Sequence, residues 1–141
     1  MTVPEIVFTP LADDALVRFV NDGVDLHNIA TTGIAEWYPA NFFLRGPQGD
    51  WLGGLVGTIW GGWLHVSRLW VTLSLRGSGQ GRRLLEAAEA YAREKGCTSV
   101  ALDTFSFQAP GFYRKLGYQV IGQLDGYPPG HTKFFLRKDL G

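Results

Sequence analysis

A chain of 141 residues has the length of one domain with one core. Thirteen Lys and Arg balance thirteen Asp and Glu, which argues against a nucleic-acid surface and its basic excess. The single cysteine, Cys97, cannot close an internal disulfide, and no apolar stretch reaches membrane-spanning length, so a cytoplasmic protein with no membrane partner is expected.

The opening Met1-Thr2-Val3-Pro4-Glu5 lacks the basic segment and apolar run of a signal peptide. Ile6-Val7-Phe8 reads as a short first strand. Thr9 then offers a helix cap, with Pro10 at the first helical position and Asp13-Asp14 in the first turn. Leu16, Phe19 and Val20 form the stripe that this helix would bury, and Gly23 would stop it. Asp25 would cap a second short helix carrying Leu26, Ile29 and Ala30, closed by Gly33.

Asn41 to Arg45 reads as a strand, followed by a turn at Gly46 to Asp50. Trp51 to Trp60 is the next strand, and Gly61-Gly62 signals a hairpin into a long strand from Trp63 to Leu73. Short turns between sequential strands imply an antiparallel meander. Leu84, Leu85, Ala88, Tyr91 and Ala92 then repeat at helical spacing, with Glu86, Glu89, Arg93 and Glu94 placed on the other side and Gly96 beyond the end. Ser99 to Thr104 is a buried strand, parallel to the long one through this crossover helix. Pro110 opens a short helix that Gly117 ends. Tyr118 to Leu124 and Thr132 to Arg137 are the last strands, joined by a turn-rich loop from Asp125 to Gly130.

The chemistry concentrates in Arg76-Gly77-Ser78-Gly79-Gln80-Gly81-Arg82, between the long strand and the crossover helix. Glycines let backbone N–H groups turn inward, and a helix N-terminus adds unpaired N–H groups and a positive dipole end. Such a loop grips phosphate, and Arg76 and Arg82 add charge-assisted donors. An NTPase P-loop needs Lys and Ser or Thr after its last glycine, whereas Gly81 is followed by Arg82-Arg83. A dinucleotide fingerprint needs a third glycine where Arg82 stands, so Asp103 at its downstream distance does not rescue that reading.

Arg76, Gly79 and Gly81 match the pattern Arg-x-x-Gly-x-Gly. Ala109, Phe112, Tyr113, Leu116, Gly117 and Tyr118 then match Ala-x-x-Phe-Tyr-x-x-Leu-Gly-Tyr after the next strand. Together they resemble the GCN5-related N-acetyltransferase (GNAT) family, from roughly Trp51 to Leu136. The resemblance implies an α/β (α+β) fold over one domain, residues 1–141. Its mixed, mostly antiparallel central sheet has roughly six to seven strands, helices on both faces, and the order β-α-α-β-β-β-α-β-α-β-β.

It also implies acetyl-CoA as cosubstrate and a small-molecule primary amine as acceptor. The loop from Arg76 through Gly77, Ser78, Gly79, Gln80 and Gly81 to Arg82 would hold the pyrophosphate. Leu69, Trp70 and Val71 on the long strand would hold the pantetheine arm, with Ser106 and Phe112 as further CoA contacts. Ser106 and Gln108 serve equally well as caps of the short helix. Tyr113 would protonate departing CoA, since a phenol of reference pKa about 10 faces a thiol of about 8.5.

The long strand lacks the Glu that many members use as base; His65, an imidazole whose reference pKa is near neutral, is one candidate, directly or through water, and Glu36 is another. Glu36, Trp37 and Tyr38 would line the acceptor pocket; aromatic faces attract cations, although core packing explains the Trp and Tyr side chains as well. Three scattered histidines and one cysteine show no ligand spacing, so no metal is expected. The alternatives are a non-catalytic acyl-CoA sensor, or an acetyltransferase of protein lysines or N-termini. A homodimer is compatible with the family.

Overall fold

The computed structural model describes residues 2–11 and 13–141. Its contacts divide the chain into two units, Met1–Ala35 and Glu36–Gly141. The first carries one helix, α1 (Asp14–Thr32). Asp13 caps it: its Oδ1 accepts from the N–H groups of Ala15 and Leu16, both at 3.1 Å. Gly33, with φ 75°, closes it by donating to the Ile29 carbonyl at 2.7 Å.

Three expectations fail in this unit. Ile6, Val7 and Phe8 form no strand; Pro4 and Pro10 flank them, and neither can donate to a ladder. The helix starts at Asp14 and not after Thr9, because Asp13 presents the carboxylate that binds the first free N–H groups. Gly23 does not stop it, so the two expected helices are one. A mid-helix glycine costs only about 1 kcal/mol against Ala, which the capped ends offset. Leu16, Phe19 and Val20 are exposed; among the described residues the unit holds no second helix or strand to bury them.

The second unit runs β1 (Tyr38–Pro39), β2 (Phe42–Arg45), β3 (Trp51–Trp60), β4 (Trp63–Val71), a 3-10 turn (Leu73–Leu75), α2 (Gln80–Glu94), β5 (Ser99–Phe105), α3 (Pro110–Lys115), β6 (Gln119–Asp125) and β7 (Thr132–Asp139). They build a seven-stranded sheet in the order β1-β3-β4-β5-β7-β6, with β2 also paired to β3. Every pairing is antiparallel except β4 with β5, which the α2 crossover makes parallel. The expected order therefore holds from β2 onward, with the short β1 added and the first strand missing.

Alternation along the strands sorts side chains to two faces. Leu64, Val66, Val100, Leu102 and Leu136 are buried with Leu84, Leu85, Ala88 and Ala92 of α2. Glu89, expected on the solvated side of α2, is buried at 3% exposure. It lies one turn beyond Leu85, on the apolar stripe, where Tyr118 and Lys138 both bond to it. Tyr113 and Tyr118 join the same core, so α2 and the end of α3 share one face of the sheet.

Candidate active site

Strand β4 is paired on both sides only over its first half. Its partners on β5 run from Trp63↔Ser99 to Val66↔Leu102 and stop. On the β3 side the register shifts at the same place: Gly57 faces Val66, but Val56 faces Arg68, which leaves Ser67 as an extra residue in β4. A bulge bends its strand and strengthens local twist, so β4 turns away from β5 just past Val66. Leu69, Trp70 and Val71 follow on β3 alone. Leu69 and Val71 are half-buried against the core, and Trp70 is exposed.

The glycine loop continues this free segment. Arg76 Nε donates to the Val71 carbonyl at 3.2 Å, which ties the loop to the strand end. Gly77 and Gly79 have φ of 80° and 85°, and Gly79 is the residue at which α2 begins. A side chain there would cost about 1–2 kcal/mol. Among the described residues the N–H groups of Gly77, Gly79, Gln80, Gly81 and Arg82 donate to no protein acceptor. Oriented donors at a helix N-terminus make an anion cradle, so the residues present fit a pyrophosphate. The arginine side chains are already engaged: Arg82 Nε pairs with Glu86 at 2.7 Å, and Arg83 donates to Gln80 at 2.8 Å.

Phe112 joins the loop to the acid candidate. A Cβ on Gly81 would lie 3.3 Å from Phe112 Cζ, so this glycine lets the ring seat against the first turn of α2. The next residue, Tyr113, is 9% exposed and packs edge-on against Phe112 and Tyr118, with centroids 5.1 and 5.9 Å apart. Burial, helped by the charge of Asp103, pushes its hydroxyl up to about 12. The phenol therefore holds its proton throughout the neutral range and acts as a donor. Giving that proton outright to a thiolate of reference pKa about 8.5 would cost about 5 kcal/mol, so a group of this kind serves a thiolate better by a hydrogen bond than by full transfer.

Other expected residues separate. Ser106 does not cap α3; its Oγ accepts from Thr132 N–H at 3.0 Å and fastens the end of β5 to β7. Gln108 closes the same strand end, accepting from Thr104 Oγ1 at 3.0 Å and Phe105 N–H at 2.9 Å. Ala109 holds the cap position with no side-chain bond. Tyr38 pairs with Ile59, level with Leu64 at the far end of β4 from the loop, and its ring meets Lys95 at 4.3 Å. It sits at the C-terminal end of α2, not beside the splay. Glu36 and Trp37 precede it and are exposed. His65 is exposed on β4, opposite Thr58 and Ala101, on the face away from α2.

One residue without a sequence signal stands out. Thr72 Oγ1, at the junction of β4 and the loop, is buried with no hydrogen-bond partner among the described residues. Its place between strand and loop is visible in the sequence; its isolation is not.

Comparison with known proteins gives a consistent picture. The acetyltransferase (GNAT) family model matches residues 13–118. A blasticidin-S acetyltransferase from Streptomyces morookaense is 48% identical over 119 residues, covering 82% of this chain and 88% of that protein. An acetyltransferase from Agrobacterium fabrum is 32% identical over 132 residues, covering 94% and 96%. A crystal structure from Agrobacterium tumefaciens superposes with a TM-score of 0.90 at 31% identity, covering 96% of this chain and 99% of that one.

Proposed function

The chain belongs to the acetyltransferase (GNAT) family, and from that premise we propose that it moves the acetyl group of acetyl-CoA to a primary amine of a small molecule. The observation that carries the reading is the set of N–H groups of Gly77, Gly79, Gln80, Gly81 and Arg82 that meet no acceptor among the described residues, beside the Gly81–Phe112 contact next to Tyr113. The 48% identical relative, named a blasticidin-S acetyltransferase, supports a small-molecule acceptor over a protein lysine or N-terminus. The family match runs across both units, which supports one acetyltransferase domain over residues 1–141. A single, buried, unpaired Cys97 fits a reducing compartment such as the cytoplasm.

In this reading the loop amides hold the pyrophosphate, and the free edge of β4 from Ser67 to Val71 takes the pantetheine arm as a strand would. A backbone N–H near Val71 polarises the thioester carbonyl; such a donor is worth about 3 kcal/mol of barrier. The neutral amine attacks the acetyl carbon, the tetrahedral intermediate collapses, and Tyr113 donates to the departing sulfur.

The test is thiol release from acetyl-CoA with a panel of amines that includes blasticidin S, polyamines and a lysine peptide. The proposal expects release with a small amine and none with the peptide. Binding of acetyl-CoA without release from any amine would contradict it and favour an acyl-CoA sensor.

A further inference from the structure

We propose that Asp103 is the carboxylate that binds the acceptor's ammonium group and takes its proton. The assignment rests on the acetyl transfer to an amine argued above. Strand β4 itself carries no carboxylate, and His65 is its one imidazole. The register supplies another candidate. Leu102 is the last β5 residue with a partner on β4, so Asp103 is the first residue past the point where the strands part.

Its face matters as much as its place. Leu102 and Thr104 are buried towards α2, and Asp103 alternates to the opposite face with Ala101, across from Phe135 of β7. The glycine loop and Tyr113 approach the gap from the α2 side. A carboxylate on that other face is open to an amine that enters the gap from the side away from the loop. Asp103 is close enough to Tyr113 for its charge to act on that hydroxyl.

The surroundings already suit an alkylammonium. The Lys133 ammonium lies 3.8 Å from Asp103 Oδ1, beyond hydrogen-bond length, and over the rings of Tyr127, Phe135 and Phe105 at 5.1, 5.4 and 5.6 Å. A carboxylate beside aromatic faces is a recognition set for a cation. The Asp103 carboxylate accepts no hydrogen bond among the described residues, and a third of its side-chain surface is exposed.

The protons balance. The ammonium gives one proton to Asp103, which passes it to solvent; the nitrogen lone pair forms the C–N bond. On collapse the C–S bond breaks, the departing thiolate accepts a hydrogen bond from Tyr113 and a proton from solvent, and the second nitrogen proton passes to solvent. The products are an amide, CoA thiol and one proton.

The experiment compares wild type, Asp103→Asn and Lys133→Met, using whichever amine of the panel wild type acetylates fastest. Asp103→Asn should lower kcat/KM for the amine by about 100-fold and leave acetyl-CoA affinity intact. Lys133→Met breaks the same ion pair and should lose thermal stability to the same extent as Asp103→Asn without that loss of turnover. Equal turnover of Asp103→Asn and wild type overturns the assignment, as do parallel losses of turnover in both variants, which would make the pair structural. A wild type active on no amine removes the proposed function, and this assignment with it.

Discussion

The Tyr118 hydroxyl donates to Glu89 Oε2 at 2.7 Å, while Lys138 Nζ donates to Oε1 of the same carboxylate at 2.9 Å. This trio, buried at Glu89 and Tyr118 and half-buried at Lys138, links α2, the turn after α3 and β7. The same turn returns to Tyr113, whose carbonyl accepts from Tyr118 N–H at 3.1 Å. The phenol behind the proposed acid is thus fastened to two neighbouring elements. Breaking one side of a buried pair costs about 3–5 kcal/mol, whereas replacing both with apolar groups is often neutral. Glu89→Leu should therefore destabilise by about 3 kcal/mol, and Glu89→Leu with Lys138→Met by clearly less. Denaturant unfolding of both variants measures this; no difference between them would mean the ammonium finds water once the carboxylate is gone.

Alkaline pH should weaken the fold in a defined window. Burial raises the Tyr113 hydroxyl to about 12, and burial together with the bond to Glu89 raises Tyr118 further. Raised groups keep their proton in the folded state after the unfolded chain, near 10, has lost it. Their contribution is complete below about pH 10 and declines as pH climbs towards about 12, by about 1.4 kcal/mol per unit for each group. Stability measured across that range should fall, and Tyr113→Phe should make the fall shallower.

Tyr113→Phe also tests the acid. The ring keeps its packing against Phe112 and Tyr118, so acetyl-CoA affinity should hold while turnover drops by about 100-fold. Full activity would mean that water alone stabilises the departing thiolate. Steady-state rates beside calorimetric affinity separate the two.

The isolated hydroxyl of Thr72 makes an unusual substitution favourable. An unmet buried polar group costs about 1–3 kcal/mol. Thr72→Val removes it and keeps the branched shape, so thermal stability should rise by about 1 kcal/mol. A fall would show that the hydroxyl has a partner in solution.

The sequence was most readable where local chemistry decides the outcome. Trp51–Trp60 came out with its observed bounds because Asp50 and Gly61 punctuate an apolar run. The loop and α3 were legible because glycines at 77, 79, 81 and 117 each meet a backbone demand that few residues share. The N-terminal unit was not: Thr9-Pro10 and Asp13 are both sound helix starts, and propensity alone does not rank them. Glu89 escaped because its burial depends on partners far along the chain, Tyr118 and Lys138, and the place proposed for Asp103 depends on the last β4–β5 rung. Tyr38 misled for a related reason. Its aromatic ring suits a pocket wall, but the strand register carries it to Lys95.

The claim on which the rest depends is that backbone amides from Gly77 to Arg82 hold the CoA pyrophosphate. Calorimetric titration of acetyl-CoA into wild type, Gly79→Asn and Gly79→Asp tests it most directly. Both substitutions impose the same left-handed backbone at φ 85°, but only one places a carboxylate against the phosphates. The account predicts binding to wild type, weakened binding to Gly79→Asn and none to Gly79→Asp. Equal affinity in the Asn and Asp variants would contradict it.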